Sequence, residues 1–223
     1  MKRELAYDSL RDWIAHVDTL GELRKIEGAS WQEEIGAITD ILQHDEKAPA
    51  VLFDSIPGYP KGFRILCNAF GGKRQNVTLG FPPTLSKVEL SEAFLQEYRE
   101  AKANTLAYEW TDTGPVFENI LTGNEVDVLK FPTPKWHEGD GGRYIGTGCF
   151  NVTMDPDEKW INVGTYRVMI HDERTVGFYI SPGKHGRQHR DKYMARGEPM
   201  PVVIVVGVDP LTFLMAGNAL PYG

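Results

Sequence analysis

The hydrophobic period changes once along the chain, close to its midpoint. Before that point, apolar residues recur at three- and four-residue spacing in segments that alternate with short apolar runs. After it, short alternating runs dominate. The first pattern belongs to helices and the second to strands. In "DSLRDWIAHVDTL", Leu10, Trp13, Ile14, Val17 and Leu20 predict a helix over residues 8–20, capped by Asp8 or Ser9 and ended by Gly21. "ELRKIEG" follows as a short strand, and "EEIGAITDILQHDE" as a second amphipathic helix. "PAVLFDSI" and "RILCNAFGG" read as strands, and residues 86–103 as a third helix starting at Ser86. Such alternation predicts an α/β layer. "EWTDTGP", around residues 109–115, reads as a boundary dividing the chain into domains 1–114 and 115–223.

Beyond the boundary, "DVLKFPTPKW" is read with the strand-like half and "HEGDGGR" as a loop of glycines and charges. "YIGTGCFNVTMDPDEKWINVGTYRVMIHDERTVGFYIS" predicts three or four strands with tight turns at "DPDE" and "HDER". A βαβ-like unit is then expected, with strand 175–181, helix about 186–196 and strand 202–208. Parallel strands with a helical crossover would put "SPGKHG" between a strand end and a helix start. The fold class expected is mixed α/β: an N-terminal α/β layer and a β-rich second domain.

Composition bounds the function. The 223 residues are 41% hydrophobic and 25% charged, which is ordinary for a globular protein. A net charge of −7 argues against a general binder of nucleic acid or anionic membrane. Two cysteines, Cys67 and Cys149, make no disulfide framework and fit a reducing compartment. The start has no apolar core of a signal peptide, and no apolar run approaches the roughly 18 residues of a membrane span. A cytoplasmic protein is the expectation. The apolar end, "VVIVVGVDPLTFLMAGNALPYG", predicts a piece of a longer polypeptide cut within a domain.

Four constellations invite chemistry. "GTG" at Gly146–Gly148 precedes a strand-like run, which rules out a dinucleotide fingerprint and leaves glycines that let a strand bend or a ligand approach. His137 and Asp140 in "HEGDGGR" read as parts of a solvated loop rather than a metal pair. In "INVGTYR", Asn162 and Arg167 stand five residues apart and would face opposite sides of a regular strand. A bulge at Gly164 would let both reach one ligand. In "SPGKHGRQH", glycines flank Lys184-His185 at a helix start, a place that favours anions. Together these give an amide, an imidazole and two cations. Amide and imidazole ligate divalent metal, and arginine and lysine neutralise phosphate or carboxylate. The residues alone leave the reaction open.

At these residues the chain resembles the UbiD family of decarboxylases, which use prenylated flavin mononucleotide. The resemblance spans nearly the whole chain, from "EIGAITD" to "PLTFLMAGNALPYG". Its specific part is Asn162-x-x-x-x-Arg167 followed seventeen residues later by Lys184-His185. It implies an N-terminal α/β region, then a flavin-binding split β-barrel, here incomplete, and an oligomerisation domain beyond. It implies that Asn162, Val163, Gly164, Thr165, Tyr166 and Arg167 line the cofactor, joined by Lys184 and His185; the position of Lys184 is often glutamine in the family. Asn162 and His185 would ligate a divalent metal, usually Mn2+, that holds the flavin phosphate. In some members K+ lies near the positions matching Val163, Met215, Ala216 and Asn218.

Arg167 would belong to a catalytic Glu-Arg-Glu set that orients the substrate carboxylate. The set's glutamates, and the third metal ligand, match positions past Gly223. The implied activity is reversible, non-oxidative decarboxylation of an aromatic, heteroaromatic or α,β-unsaturated acid by a homo-oligomeric parent. A flavin prenyltransferase would supply the cofactor. This chain alone is expected to be inactive. The competing expectations are a flavin-binding subunit without decarboxylase activity and a split-barrel oxidoreductase using plain flavin.

Overall fold

The computed structural model describes residues 3–104, 107–146 and 148–218. Thr147, in the middle of the "GTG" motif, and residues 219–223, the end of the apolar tail, lie outside the described residues.

Helix α1, Leu10–Thr19, starts where the sequence places it. The Ser9 hydroxyl accepts a hydrogen bond from the Asp12 N–H at 3.2 Å, and Gly21 leaves the helix at φ +70°. Its apolar stripe buries Trp13, Ile14 and Val17, each worth about 1.5–3 kcal/mol. Strand β1, Leu23–Glu27, pairs in parallel with β2, Ala50–Asp54, and helix α2, Glu34–Gln43, connects them. Strand β3, Ile65–Cys67, adds to β2 antiparallel. Strand β2 is the middle of this sheet and its first four residues are buried, which explains its unbroken apolar run.

Helix α3, Gly72–Thr78, was not expected from "GKRQNVT", which has no apolar stripe. Polar tertiary bonds hold it. Arg74, 2% exposed, pairs with Glu22 at 2.8 Å, and the Asn76 amide donates to the carbonyls of Pro82 and Leu85. Helix α4, Lys87–Ala103, begins with a reciprocal cap between Ser86 and Glu89.

"DVLKFPTPKW" is not a strand. A 3-10 turn occupies Val128–Lys130, tied by the Asp127 carboxylate accepting from the Leu129 N–H at 2.9 Å. Pro132 and Pro134 then remove two backbone donors. Two antiparallel sheets follow. One holds β4 (Arg143–Gly146), β7 (Arg167–Ile170) and β8 (Val176–Tyr179) in the order β4-β7-β8. The other holds β5 (Cys149–Met154), β6 (Ile161–Gly164) and β9 (Val202–Val206) in the order β6-β5-β9. Neither closes into a barrel among the described residues.

The turns at "DPDE" and "HDER" are as expected. Asp155 accepts from the N–H groups of Asp157 and Glu158, and Asp172 from those of Arg174 and Thr175. The expected parallel βαβ unit is not found. Helix α5, His185–Ala195, does leave β8, but β9 crosses to the other sheet and pairs antiparallel with β5. Helix α6, Pro210–Ala216, follows it.

The two halves pack closely. A Cβ at Gly36 of α2 would stand 1.7 Å from the Trp136 carbonyl oxygen, so only glycine fits there. The Arg143 guanidinium lies 4.1 Å from the centre of the Trp31 ring and donates to the Thr133 carbonyl at 2.7 Å.

Candidate functional site

The segment from β6 to β7 changes sheets, and that change shapes the site. No bulge at Gly164 re-aims the chain. From Asn162 to Val168, even-numbered residues are buried and odd-numbered residues exposed, without interruption. Asn162, Gly164 and Tyr166 therefore turn inward, while Val163, Thr165 and Arg167 turn outward. The register irregularity sits instead in β4, between Tyr144 and Gly146, where the glycine lets the strand bend. A Cβ at Gly146 would lie 2.6 Å from Val168 Cβ. The crossover itself is held from below by Asn151, fully buried, whose amide nitrogen donates to the carbonyls of Gly164 (3.4 Å) and Tyr166 (3.2 Å).

Tyr166 is the hub. Its hydroxyl accepts from Asn162 Nδ2 at 3.1 Å and from the Gly186 N–H at 3.1 Å. Its ring is wedged between two glycines. A Cβ at Gly164 would be 2.6 Å from the hydroxyl, and one at Gly186 would be 2.9 Å from Cε2. Those glycines make room for a tyrosine. Gly183, by contrast, is open on its Cβ side and is required by its φ of +82°.

Asn162, on a strand, and Gly186, at a helix start, are thereby tied to one hydroxyl, and His185 is the residue just before Gly186. His185 opens α5 and meets the Trp160 ring edge-on at 5.2 Å. His189, one turn further, meets the same ring at 5.5 Å and is fully buried. Burial pushes the His189 pKa below its ordinary value, against the pull of Asp155. Both Nδ2 hydrogens of Asn162 are directed at hydroxyls, of Tyr166 and of Thr153 (3.3 Å), which leaves Oδ1 as the atom for a ligand. Lys184 is the exposed residue before the helix, and its side chain caps nothing.

Arg167 is not brought to this hub. It lines an open cleft of about 630 Å3 between α2, β3 and β4, with Trp136, Tyr144, Phe70 and Phe213. His137 and Asp140 border the same cleft, where Asp140 closes its loop by accepting from the His137 N–H at 3.0 Å. Of the residues matched to K+, Val163 is 40% exposed on β6, and Met215 and Ala216 end α6. Asn218 donates back to the Leu214 carbonyl at 3.0 Å. Among the described residues, no group of three His, Cys, Asp or Glu stands ready for a metal, and no helix is long and apolar enough to cross a membrane.

The sequence reading missed Tyr166 as the hub, and His189, Thr153 and Asn151 entirely. Histidines four residues apart on a helix were the one visible signal for His189.

Residues 109–223 match the Rift-related domain of UbiD, 3-octaprenyl-4-hydroxybenzoate carboxy-lyase, and residues 14–94 match its N-terminal domain. The chain belongs to the UbiD family. It is 32% identical over 223 residues to the pyrrole-2-carboxylic acid decarboxylase of Pseudomonas aeruginosa, covering 96% of this chain and 44% of that protein. It is 30% identical over 227 residues to a phenolic acid decarboxylase of Streptomyces sp., covering 98% and 46%. In fold it is similar to the closed form of Sedimentibacter hydroxybenzoicus vanillic acid decarboxylase, with a TM-score of 0.86 at 24% identity over 96% of this chain and 46% of that one. It is also similar to HmfF of Pelotomaculum thermopropionicum, a UbiD-class enzyme in complex with FMN, with a TM-score of 0.77 at 27% identity over 91% and 43%. An evolved dimeric form of that enzyme is in complex with prFMN. The chain spans a little under half the length of these relatives.

Proposed function

We propose that this chain supplies the flavin- and metal-holding part of a reversible, non-oxidative decarboxylase for an aromatic, heteroaromatic or α,β-unsaturated carboxylic acid. One observation carries the reading: the Tyr166 hydroxyl ties the Asn162 amide to the start of α5, whose first residue is His185. An amide oxygen and an imidazole nitrogen suit Mn2+, and a metal there would hold a flavin phosphate. Val163, Gly164, Thr165 and Lys184 would border the cofactor, and K+ would sit toward Val163, Met215, Ala216 and Asn218. When bound, prenylated flavin supplies the electron sink for the carbon that loses CO2.

Arg167, facing the cleft, binds and orients the carboxylate through its forked donors. A glutamate of the family's catalytic set would supply the proton that replaces CO2. The working protein is read as a cytoplasmic homo-oligomer charged by a flavin prenyltransferase. Domains 1–114 and 115–223 divide the labour, the second holding the cofactor.

The test is co-expression of the gene's whole product with a flavin prenyltransferase, addition of Mn2+, and measurement of CO2 release from a panel of such acids. At least one acid is expected to turn over, and Arg167→Ala is expected to abolish turnover while flavin absorbance stays. Bound flavin with no turnover of any acid would reduce the chain to a flavin-binding module.

A further inference from the structure

Asn162 serves a cation only if its amide oxygen, not its nitrogen, faces the ligand. The two ends of an amide have nearly the same shape, so hydrogen bonds must tell them apart. Thr153 stands directly opposite Asn162 in the β5–β6 pair, with Oγ1 3.3 Å from Nδ2. The other partner of that hydroxyl is His189 Nδ1, at 3.0 Å. A hydroxyl has one hydrogen to give. Nδ2 only donates, so Oγ1 accepts there; were Nδ1–H to donate to it as well, the buried hydroxyl hydrogen would be left without an acceptor, so that hydrogen goes to Nδ1. The imidazole hydrogen then belongs on Nε2. Asp155 Oδ2 stands on that side, 3.9 Å away, itself gripped by Lys192 Nζ at 2.5 Å. That separation is too long for a hydrogen bond, yet within a buried site it favours the ring's N–H edge over its lone pair. Thr153, Asp155, Asn162 and His189 are all buried, so water does not compete for these directions.

We propose that Asp155, His189 and Thr153 form a buried relay that sets the orientation of the Asn162 amide, which makes His189 a positioning residue for the cation and phosphate site. Its functional meaning rests on the proposed reading of Asn162 as a ligand. The direction of the relay does not. With the opposite tautomer, Nδ1–H would donate to Thr153, and the buried hydroxyl hydrogen would find an acceptor in Asn162 only if the amide turned its oxygen toward it. Trp160 holds His185 and His189 against one ring, so the imidazole at the site and the imidazole of the relay share a wall.

The experiment is nitrogen NMR on the isotopically labelled chain without ligand. His189 is expected as the Nε2–H tautomer, and the Asn162 side-chain amide as slow to exchange with water. Thr153→Val is expected to shift the His189 nitrogens and to speed that exchange, and Thr153→Ser to restore both. The Nδ1–H tautomer in the unsubstituted chain overturns the relay even if Thr153→Val fails to fold. Unchanged Asn162 exchange in a Thr153→Val protein with unaltered melting temperature also overturns it. A Mn2+ titration in the presence of FMN then reads the consequence: outer partners of a ligand typically change metal affinity about 10- to 100-fold, and Thr153→Val is expected to weaken Mn2+ by that order while Thr153→Ser is not. Unaltered Mn2+ affinity in Thr153→Val contradicts the positioning role. If the unsubstituted chain takes up no Mn2+, the ligand reading of Asn162 fails, and the NMR result still decides the relay.

Discussion

The hydroxyl of Tyr166 accepts two hydrogen bonds in a place that is 9% exposed. Tyr166→Phe keeps the ring between its glycines and removes only that acceptor. Leaving buried donors without a partner costs about 1–3 kcal/mol, and urea melts are expected to show a loss of that order. His189 makes a pH prediction. Its pKa is held below the ordinary value by burial, so the unfolded chain binds more protons as pH falls below about 6.5. The contribution is therefore fully present above that pH and is lost as pH drops from there toward the folded-state pKa. Melting temperatures between pH 7.5 and 5 are expected to fall more steeply for the unsubstituted chain than for His189→Gln; equal slopes would contradict the assignment.

At the scale of elements, the glycines flanking Tyr166 carry the prediction. Gly186 is the second residue of α5, where alanine normally favours a helix. Here its Cβ would meet the Tyr166 ring at 2.9 Å. Gly186→Ala is expected to destabilise by about 1–3 kcal/mol, the ordinary cost of overpacking, and a stabilised protein in the same urea melt would refute the wedge. The elements also show what the sequence could tell. Helices α1, α2 and α4 were legible because each carries a cap or an apolar period within its own residues. Helix α3 was not, because its support comes from Glu22, Pro82 and Leu85, distant in the chain. The β8-α5-β9 path was misread as parallel because nothing local says which sheet edge a strand will join. Of the candidate site, Asn162, Arg167 and His185 were singled out through the family resemblance, while the bulge expected to aim Asn162 and Arg167 at one ligand is absent from the β5–β6 register. The hub and the relay were not legible, since Tyr166 acts through Gly186, and His189 through Thr153, 36 residues away.

For the whole molecule, the arrangement separates two tasks. A buried polar hub lies between the sheet β6-β5-β9 and the start of α5. An open, mostly apolar cleft with one arginine lies where the second half meets α2 and β3, a seam closed so tightly at Gly36 and Trp136 that their backbones touch. Under the proposed function the first would anchor a phosphate and the second would take the acid. Whether the hub holds a flavin phosphate through a divalent cation is read by the quenching of FMN fluorescence by this chain, with and without Mn2+. The account predicts saturable binding that Mn2+ tightens, with the Mn2+ effect lost in Asn162→Ala. FMN binding that ignores Mn2+, or a Mn2+ effect that survives Asn162→Ala, would contradict it.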